Sequence, residues 1–441
     1  MKNKKCIIMK IQYKRYFYKL RSKLKKKIRN GCKISKKILK KYHLINKISL
    51  YRKMGASHKR QLFTINVLKV FNLSTDPDTV LSFLKKLKND LNNDTAYDLY
   101  IDHSNTEEIN LDASYLFDNI IKEYSKYWEK LHIKIKISGK VSKKKEVNNF
   151  LLSFGLLYEL NITKHKLFPE LADSDYTNKY ITYKKIGTSK ETYSAGNAST
   201  ELVNYFNNCF IANNLQIKDD ETKCNLADCF GEIIKNAEEH SGIKPTEWIV
   251  LGCYSKSTHS CSFSIINYGN SFYQSLAENS STARHVLDEV TKVIYEHSNF
   301  FEKLFLNKPL YEQAIWSYMA IQDGISSKRS ESGKASTRGQ GIIDVVEFID
   351  KIRNKKSKDT HLSIISGNTF INLDYEYPLV YNKKGKNQET RRFVYLNKKG
   401  GFSNPPDLDK LKIMKSNFPG VIFSGFFIID QDYLLKQMRS A

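Results

Sequence analysis

The first sixty residues contain no aspartate and no glutamate, yet they carry 23 lysines and arginines. The rest of the chain holds 49 basic and 46 acidic side chains, so most of the net charge of +26 belongs to this tail. Other absences narrow the possibilities. No apolar run reaches the length of a membrane span. The N-terminus has only Cys6–Met9 as an apolar island among lysines, which does not read as a secretory signal. The seven cysteines form no Cys-x-x-Cys pair, which argues against zinc and a disulfide framework and fits reduced thiols in a cytoplasmic protein. There is no Gly-x-Ser-x-Gly elbow for a serine nucleophile. No second histidine sits at metal-ligand spacing from His240, His297 or His361.

At 441 residues and 41% hydrophobic content there is material for more than one core. The tail, 1–60, interleaves aromatics with charge in Tyr13–Lys19, as single-stranded nucleic acid binders do. Its spaced apolars Ile34, Ile38, Leu39 and Tyr42 equally suit a basic amphipathic helix at a membrane surface or docked on a protein. Nucleic acid, a membrane surface, and a solvated or protein-docking tail all stay open.

The most informative stretch is CFGEIIKNAEEHSG, Cys229–Gly242. On a helix, Glu232, Asn236, Glu239 and His240 share one arc, while Phe230, Ile233, Ile234 and Ala237 take the other. An amide oxygen flanked by carboxylates suits a hard cation such as Mg²⁺, which keeps phosphate and water as its remaining ligands. A carboxylate one turn away can polarise an attacking water. Further on come FSIINYGNSF, Phe263–Phe272, and then Asp323–Asp350, in which Gly339 and Gly341 open a helix with Ile342, Ile343, Val345, Val346, Phe348 and Ile349. Glycines at a helix start let the backbone approach phosphate, and free N–H groups there favour an anion.

In this order the segments resemble the gyrase, histidine-kinase and MutL superfamily, whose ATP site is the Bergerat fold. EIIKNAEEHS is similar to its Asn-containing box, which implies Asn236 as the Mg²⁺ ligand and Glu232 as general base. NYGNS resembles the Asp-x-Gly-x-Gly box that reads adenine, which implies Asn267, Gly269 and Ser271 beside the base. RGQGI resembles the Gly-x-Gly box beside the triphosphate, implying Arg338, Gly339 and Gly341. GISSK resembles the lid upstream of it, implying Gly324, Ser327 and Lys328; Lys328 or Arg338 would lie near the γ-phosphate. Glu239 and His240 would line the site.

The chain departs from the pattern in three places. Asn267 replaces the aspartate, its side-chain oxygen still being able to accept from the exocyclic amine but without charge assistance. Ser271 replaces the second glycine, and Val421 stands where threonine is expected after the late glycine of FPGVIFSGFFII.

Before this region lies a second α/β pattern, 61–161. Asp98–Asp102 reads as a strand, Ala113–Tyr127 as a helix, Leu131–Ile137 as a half-buried strand and Val147–Leu157 as a helix. The order resembles a STAS-like domain, the module that partners anti-sigma ATPases. In regulatory relatives a serine at the start of the first helix is phosphorylated. Leu111 and Asp112 stand there, Asp112 as expected N-cap, and Ser114 is the nearest hydroxyl.

The resulting expectation is an α/β (α+β) chain: basic tail 1–60, STAS-like domain 61–161, linker and hairpins 162–198, and a Bergerat-type α/β sandwich at 199–435. Helices are expected at Thr282–His297 and Leu310–Ile321. The resemblance implies an Mg²⁺-ATP-binding cytoplasmic regulator with a protein partner, one that hydrolyses ATP slowly or phosphorylates serine or threonine on that partner. The alternative is a non-catalytic, nucleotide-gated scaffold whose tail carries the output. Oligomeric state is left open.

Overall fold

A computed structural model describes residues 61–93, 95–156, 179–188, 194–217, 219–240, 247–279, 282, 284–297, 308–325, 340–355, 359–383 and 390–440. The tail, with its candidate nucleic acid contacts, lies outside them, as do Ser327, Lys328, Arg338 and Gly339. The chain divides into two compact units, Met1–Arg52 and Lys53–Ala441, and every described residue belongs to the second. The expected STAS-like and nucleotide regions are therefore parts of one body. Its class is mixed α+β.

The first part begins with β1 (Leu62–Asn66), β2 (Val70–Phe71), α1 (Pro77–Leu91), β3 (Asp98–Asp102) and β4 (Glu108–Ile109). It continues through α2 (Leu111–Lys130), β5 (Ile137–Lys140) and α3 (Lys145–Ser153). Strands β1, β3 and β5 form a parallel sheet in that order, and β2 pairs with β4. Right-handed crossovers between sequential parallel strands put α1 and α2 on the same face.

Two local expectations need correction. The alternating run Leu131–Ile137 is not a strand up to its last residue: α2 continues to Lys130, His132 takes φ 63°, and pairing to β3 starts only at Ile137 opposite Leu99. The N-cap of α2 is Asn110, whose Oδ1 accepts the Ala113 N–H at 3.1 Å, rather than Asp112, which lies inside the first turn.

The second part starts earlier than residue 199. Strand β6 (Tyr180–Thr188) is already an edge of the main sheet, and α4 (Ser194–Ile211) spans the expected boundary. Then follow α5 (Asp220–His240), β7 (Glu247–Ser255), β8 (Ser260–Tyr268), α6 (Phe272–Leu276), α7 (Arg284–Glu296) and α8 (Lys308–Met319). The chain closes with α9 (Gly341–Ile352), β9 (His361–Leu373), β10 (Leu379–Lys383), β11 (Thr390–Val394), β12 (Leu411–Ile428) and α10 (Gln431–Ser440). The main sheet is antiparallel with order β6-β7-β8-β12-β9, and β10 and β11 form a separate hairpin.

Strand alternation sorts this sheet into two buried faces. Trp248, Val250, Phe263, Ile265, Val421 and Phe423 meet helices including α4, α5 and α9. Ile249, Leu251, Ile266, Ile365, Phe418 and Ile422 share a second core with α1 and α2. The small sheet, its two helices, the large sheet and the outer helices thus stack as layers, with a continuous core on each side of the large sheet.

The seam between α1, α2 and the large sheet is polar as well as apolar. Asp78 Oδ1 accepts the Ser416 N–H at 3.0 Å, and the Ser82 and Ser416 hydroxyls lie 2.8 Å apart. Ser264, Ser424 and Ser363 stand in register across β8, β12 and β9. Among the described residues no helix is long and apolar enough to cross a membrane.

Candidate functional site

Helix α5 is amphipathic in the sense its spacing implies. Phe230 and Ile234 are fully buried, Ile233 and Ala237 nearly so, whereas Asn236 and Glu239 are exposed and Glu232 and His240 half-buried. The apolar stripe joins the core with α4, which fixes the rotation of the helix and turns the polar arc outward.

Glu232 reaches across to the start of α9, where its Oε2 accepts the Gly341 N–H at 2.9 Å. The residue before that helix, Gln340, makes no side-chain cap, so a carboxylate from another helix satisfies one of the free amides. Gly341 is required here. A Cβ on it would stand 2.9 Å from Glu232 Cβ and 3.0 Å from the Cys229 carbonyl oxygen.

The opposite end of α5 meets the NYGNS segment. The Asn270 N–H donates to the His240 carbonyl at 2.9 Å, and the Gly269 N–H to Pro419 at 3.0 Å. Ser271 is the N-cap of α6 in a reciprocal capping box with Gln274, so its hydroxyl already has a structural task. Asn267 is buried, at 3% exposure, and its Oδ1 accepts the Val421 N–H at 3.1 Å. The oxygen expected to receive an exocyclic amine is thus engaged by the neighbouring strand. Gly420 permits this approach: it has φ 146°, and a Cβ there would fall 2.0 Å from the Asn267 carbonyl oxygen.

The chain matches no protein-family model, no curated protein and no solved structure.

Gly324, from the expected lid, is buried in a turn at φ 81°. The charges around that turn were not legible as part of the site. Arg391 donates to the Asp323 carbonyl at 2.7 Å. The Arg392 guanidinium contacts three carboxylates: Asp323 at 3.4 Å, Asp344 at 2.6 Å and Glu347 at 2.8 Å. Asp323 precedes the expected lid and Asp344 and Glu347 lie on α9, so one side chain from β11 ties together the two flanks of residues 326–339. The adjacent arginines in QETRRFV were a signal, but nothing local says what they reach.

Among the described residues no three His, Cys, Asp or Glu side chains converge to hold a metal ion. An open cleft of about 440 Å³, lined by Glu289, Tyr381, Arg391, Phe393, Tyr395 and Phe402 among others, contains none of the residues implied by the motifs. Its charged walls satisfy each other, with Arg391 3.4 Å from Glu289 and 4.9 Å above the Phe393 ring.

Ser114, the nearest hydroxyl to the position phosphorylated in STAS relatives, is 1% exposed. A kinase cannot reach it in this fold.

Proposed function

We propose that the chain is a nucleotide-binding regulatory protein of the gyrase, histidine-kinase and MutL type. It takes Mg²⁺-ATP or a related purine triphosphate where α5, the end of β8 and the start of α9 meet. The observation that carries this reading is a pair of hydrogen bonds, Asn270 N–H to His240 and Gly341 N–H to Glu232. They bring together three segments, separate in sequence, to which the resemblance gives the base, the cation and the phosphate.

Each group has a task its chemistry suits. The exposed amide oxygen of Asn236, one turn from Glu232, is a hard donor of the kind Mg²⁺ takes alongside phosphate oxygens. When bound, the ion would offset the charge of the phosphates. The amides of the first turn of α9 would hold phosphate oxygens, helped by the helix dipole. Glu232 would orient and polarise water. It now accepts one of those amides, so phosphate and Glu232 compete for the same donor.

That engagement favours a second reading, a non-catalytic nucleotide-gated module in which Glu232 serves only as a cap. The first part of the fold, docked on the sheet, would act as the regulatory partner within the chain, and the tail as the route to an external one.

Thermal unfolding in millimolar Mg²⁺-nucleotide tests the shared core of both readings. Ligand that binds only the native state raises the melting temperature by mass action. The expected result is a rise for the wild type with ATP or GTP and none for Asn236→Ala. No rise with either nucleotide would contradict the proposal.

A further inference from the structure

We infer that the open cleft between the β10–β11 hairpin and α7 takes an unpaired base of a single-stranded nucleic acid, with the strand's phosphates on the lysine turn beside it. This site shares no residue with the nucleotide site proposed above and does not depend on that reading.

The cleft, of about 440 Å³, has the size of a ligand site, and four of the seven residues that line it are aromatic. The Phe402 ring meets Tyr395 edge-on at 4.8 Å and Phe393 at 5.4 Å, while Phe393 and Tyr395 stack at 6.0 Å. The rings brace one another, and Tyr395 and Phe402 remain only half-buried, so each keeps surface to offer. Asn382 Nδ2 donates to the Tyr395 hydroxyl at 3.0 Å, which holds that ring further. Every base has a face that can stack on such rings.

The polar groups suit a base edge. Among the described residues Glu289 receives only Arg391 Nη1, at 3.4 and 3.5 Å, so its carboxylate keeps acceptor capacity for a ring N–H or an exocyclic amine. The Arg391 guanidinium is held by the Asp323 carbonyl and lies 4.9 Å above the Phe393 ring. It sets a donor beside that acceptor, and base edges carry the complementary pattern. The pair is neutral, so the cleft does not itself repel a strand.

The loop from Tyr395 to Phe402 supplies the charge. Its two ends are contacting rings of the cleft, so Lys398 and Lys399, both exposed, stand on a short turn beside it. Gly400 and Gly401 take φ 70° and 78°, which bends the chain back. Asn397 Nδ2 donates to the Gly401 and Asn404 carbonyls at 3.1 and 3.0 Å and fixes the turn. Rings in a groove with cations along its rim are what hold a single strand, the charge following the backbone and the rings taking bases. The lysines stand outside the cleft, which suits a continuous strand rather than a free nucleotide.

Photo-crosslinking of the full chain to a short oligouridine substituted with 5-iodouridine tests this. Mass spectrometry locates the attachment sites, so binding by residues 1–60 is read separately. Attachment is expected at Tyr381, Tyr395 or Phe402. Tyr395→Leu keeps apolar bulk without the ring and is expected to lower attachment at Tyr381 and Phe402 about tenfold. Lys398→Glu combined with Lys399→Glu, at exposed positions that leave the fold intact, is expected to lower attachment in the cleft and to make it less sensitive to salt. Attachment confined to residues outside the cleft, or cleft attachment unchanged in both variants, would overturn the inference. Uridine monophosphate competing as well as unsubstituted oligouridine would overturn the strand as the occupant.

Discussion

The hydroxyl of Ser424 on β12 donates to Asp112 Oδ2 on α2 at 2.7 Å, inside the seam between the two parts of the fold. Both residues are buried, and Asp112 Oδ1 has no hydrogen-bond partner. Ser264 supports the contact from the next strand, its hydroxyl 3.3 Å from that of Ser424. Loss of hydration outweighs these bonds, so the Asp112 carboxyl is pushed up to about 6. Nearly two turns further along α2, burial pushes Asp118 up to about 8 despite the nearby Lys122 and Lys184 ammonium groups.

A carboxyl raised in the folded state stabilises it most where it is protonated in both states. That contribution is complete below about pH 4 and is lost as pH rises through the folded value. Asp112→Asn, a neutral replacement, should therefore match the wild type near pH 4 and become the more stable protein as pH rises to 6 and beyond. The gap should grow by about 1 kcal/mol per pH unit between about pH 4 and 6 and level off above that. Urea unfolding of both proteins between pH 4 and 8 measures it. A constant difference across that range would show that Asp112 does not titrate in the seam.

Arg392 should be a structural keystone for the start of α9. Removing the guanidinium strands Asp323, whose side chain is 4% exposed, beside Asp344 and Glu347. Breaking such a buried cluster costs about 3 kcal/mol. Arg392→Ala should therefore lower stability by that order and weaken nucleotide binding, whereas Arg392→Lys should restore only part of each, lacking the planar fork. Chemical denaturation and nucleotide titration read the two effects separately.

Substitution at Glu232 separates cap from catalyst. Glu232→Gln keeps an oxygen for the Gly341 N–H but cannot act as a base, so it should bind nucleotide like the wild type and lose turnover. Glu232→Ala should in addition cost about 1 kcal/mol of stability, the value of a helix cap. Phosphate release assays beside thermal melts check both. Unchanged turnover in Glu232→Gln would favour the non-catalytic module.

The parts of this fold that local pattern controls were legible. The strand Asp98–Asp102 and the helices α2, α5, α7 and α8 follow apolar spacing, and the polar arc of α5 lies outside as its period requires. Strand β6 was expected only within linker and hairpins, because YITYKKIGT is an edge strand with half-buried alternation and nothing local ties it to the main sheet. The run Leu131–Ile137 misled for the opposite reason, since period-two alternation cannot say where pairing begins.

Contacts between distant segments were beyond the sequence. Nothing in FPGVIFSGFFII announces that Ser424 faces Asp112, or that Val421 takes the Asn267 oxygen. Gly341 and Gly420 were visible as glycines, but the reasons for them, Glu232 and the Asn267 carbonyl, are tertiary.

The nucleotide site itself is tested most directly by calorimetric titration of Mg²⁺-GTP and Mg²⁺-ATP into the full chain, beside Asn236→Ala. The account predicts saturable, Mg²⁺-dependent binding to the wild type, abolished or weakened at least about tenfold in the variant by loss of the amide ligand. Absence of heat with either nucleotide at millimolar concentration, or equal binding by Asn236→Ala, would contradict it.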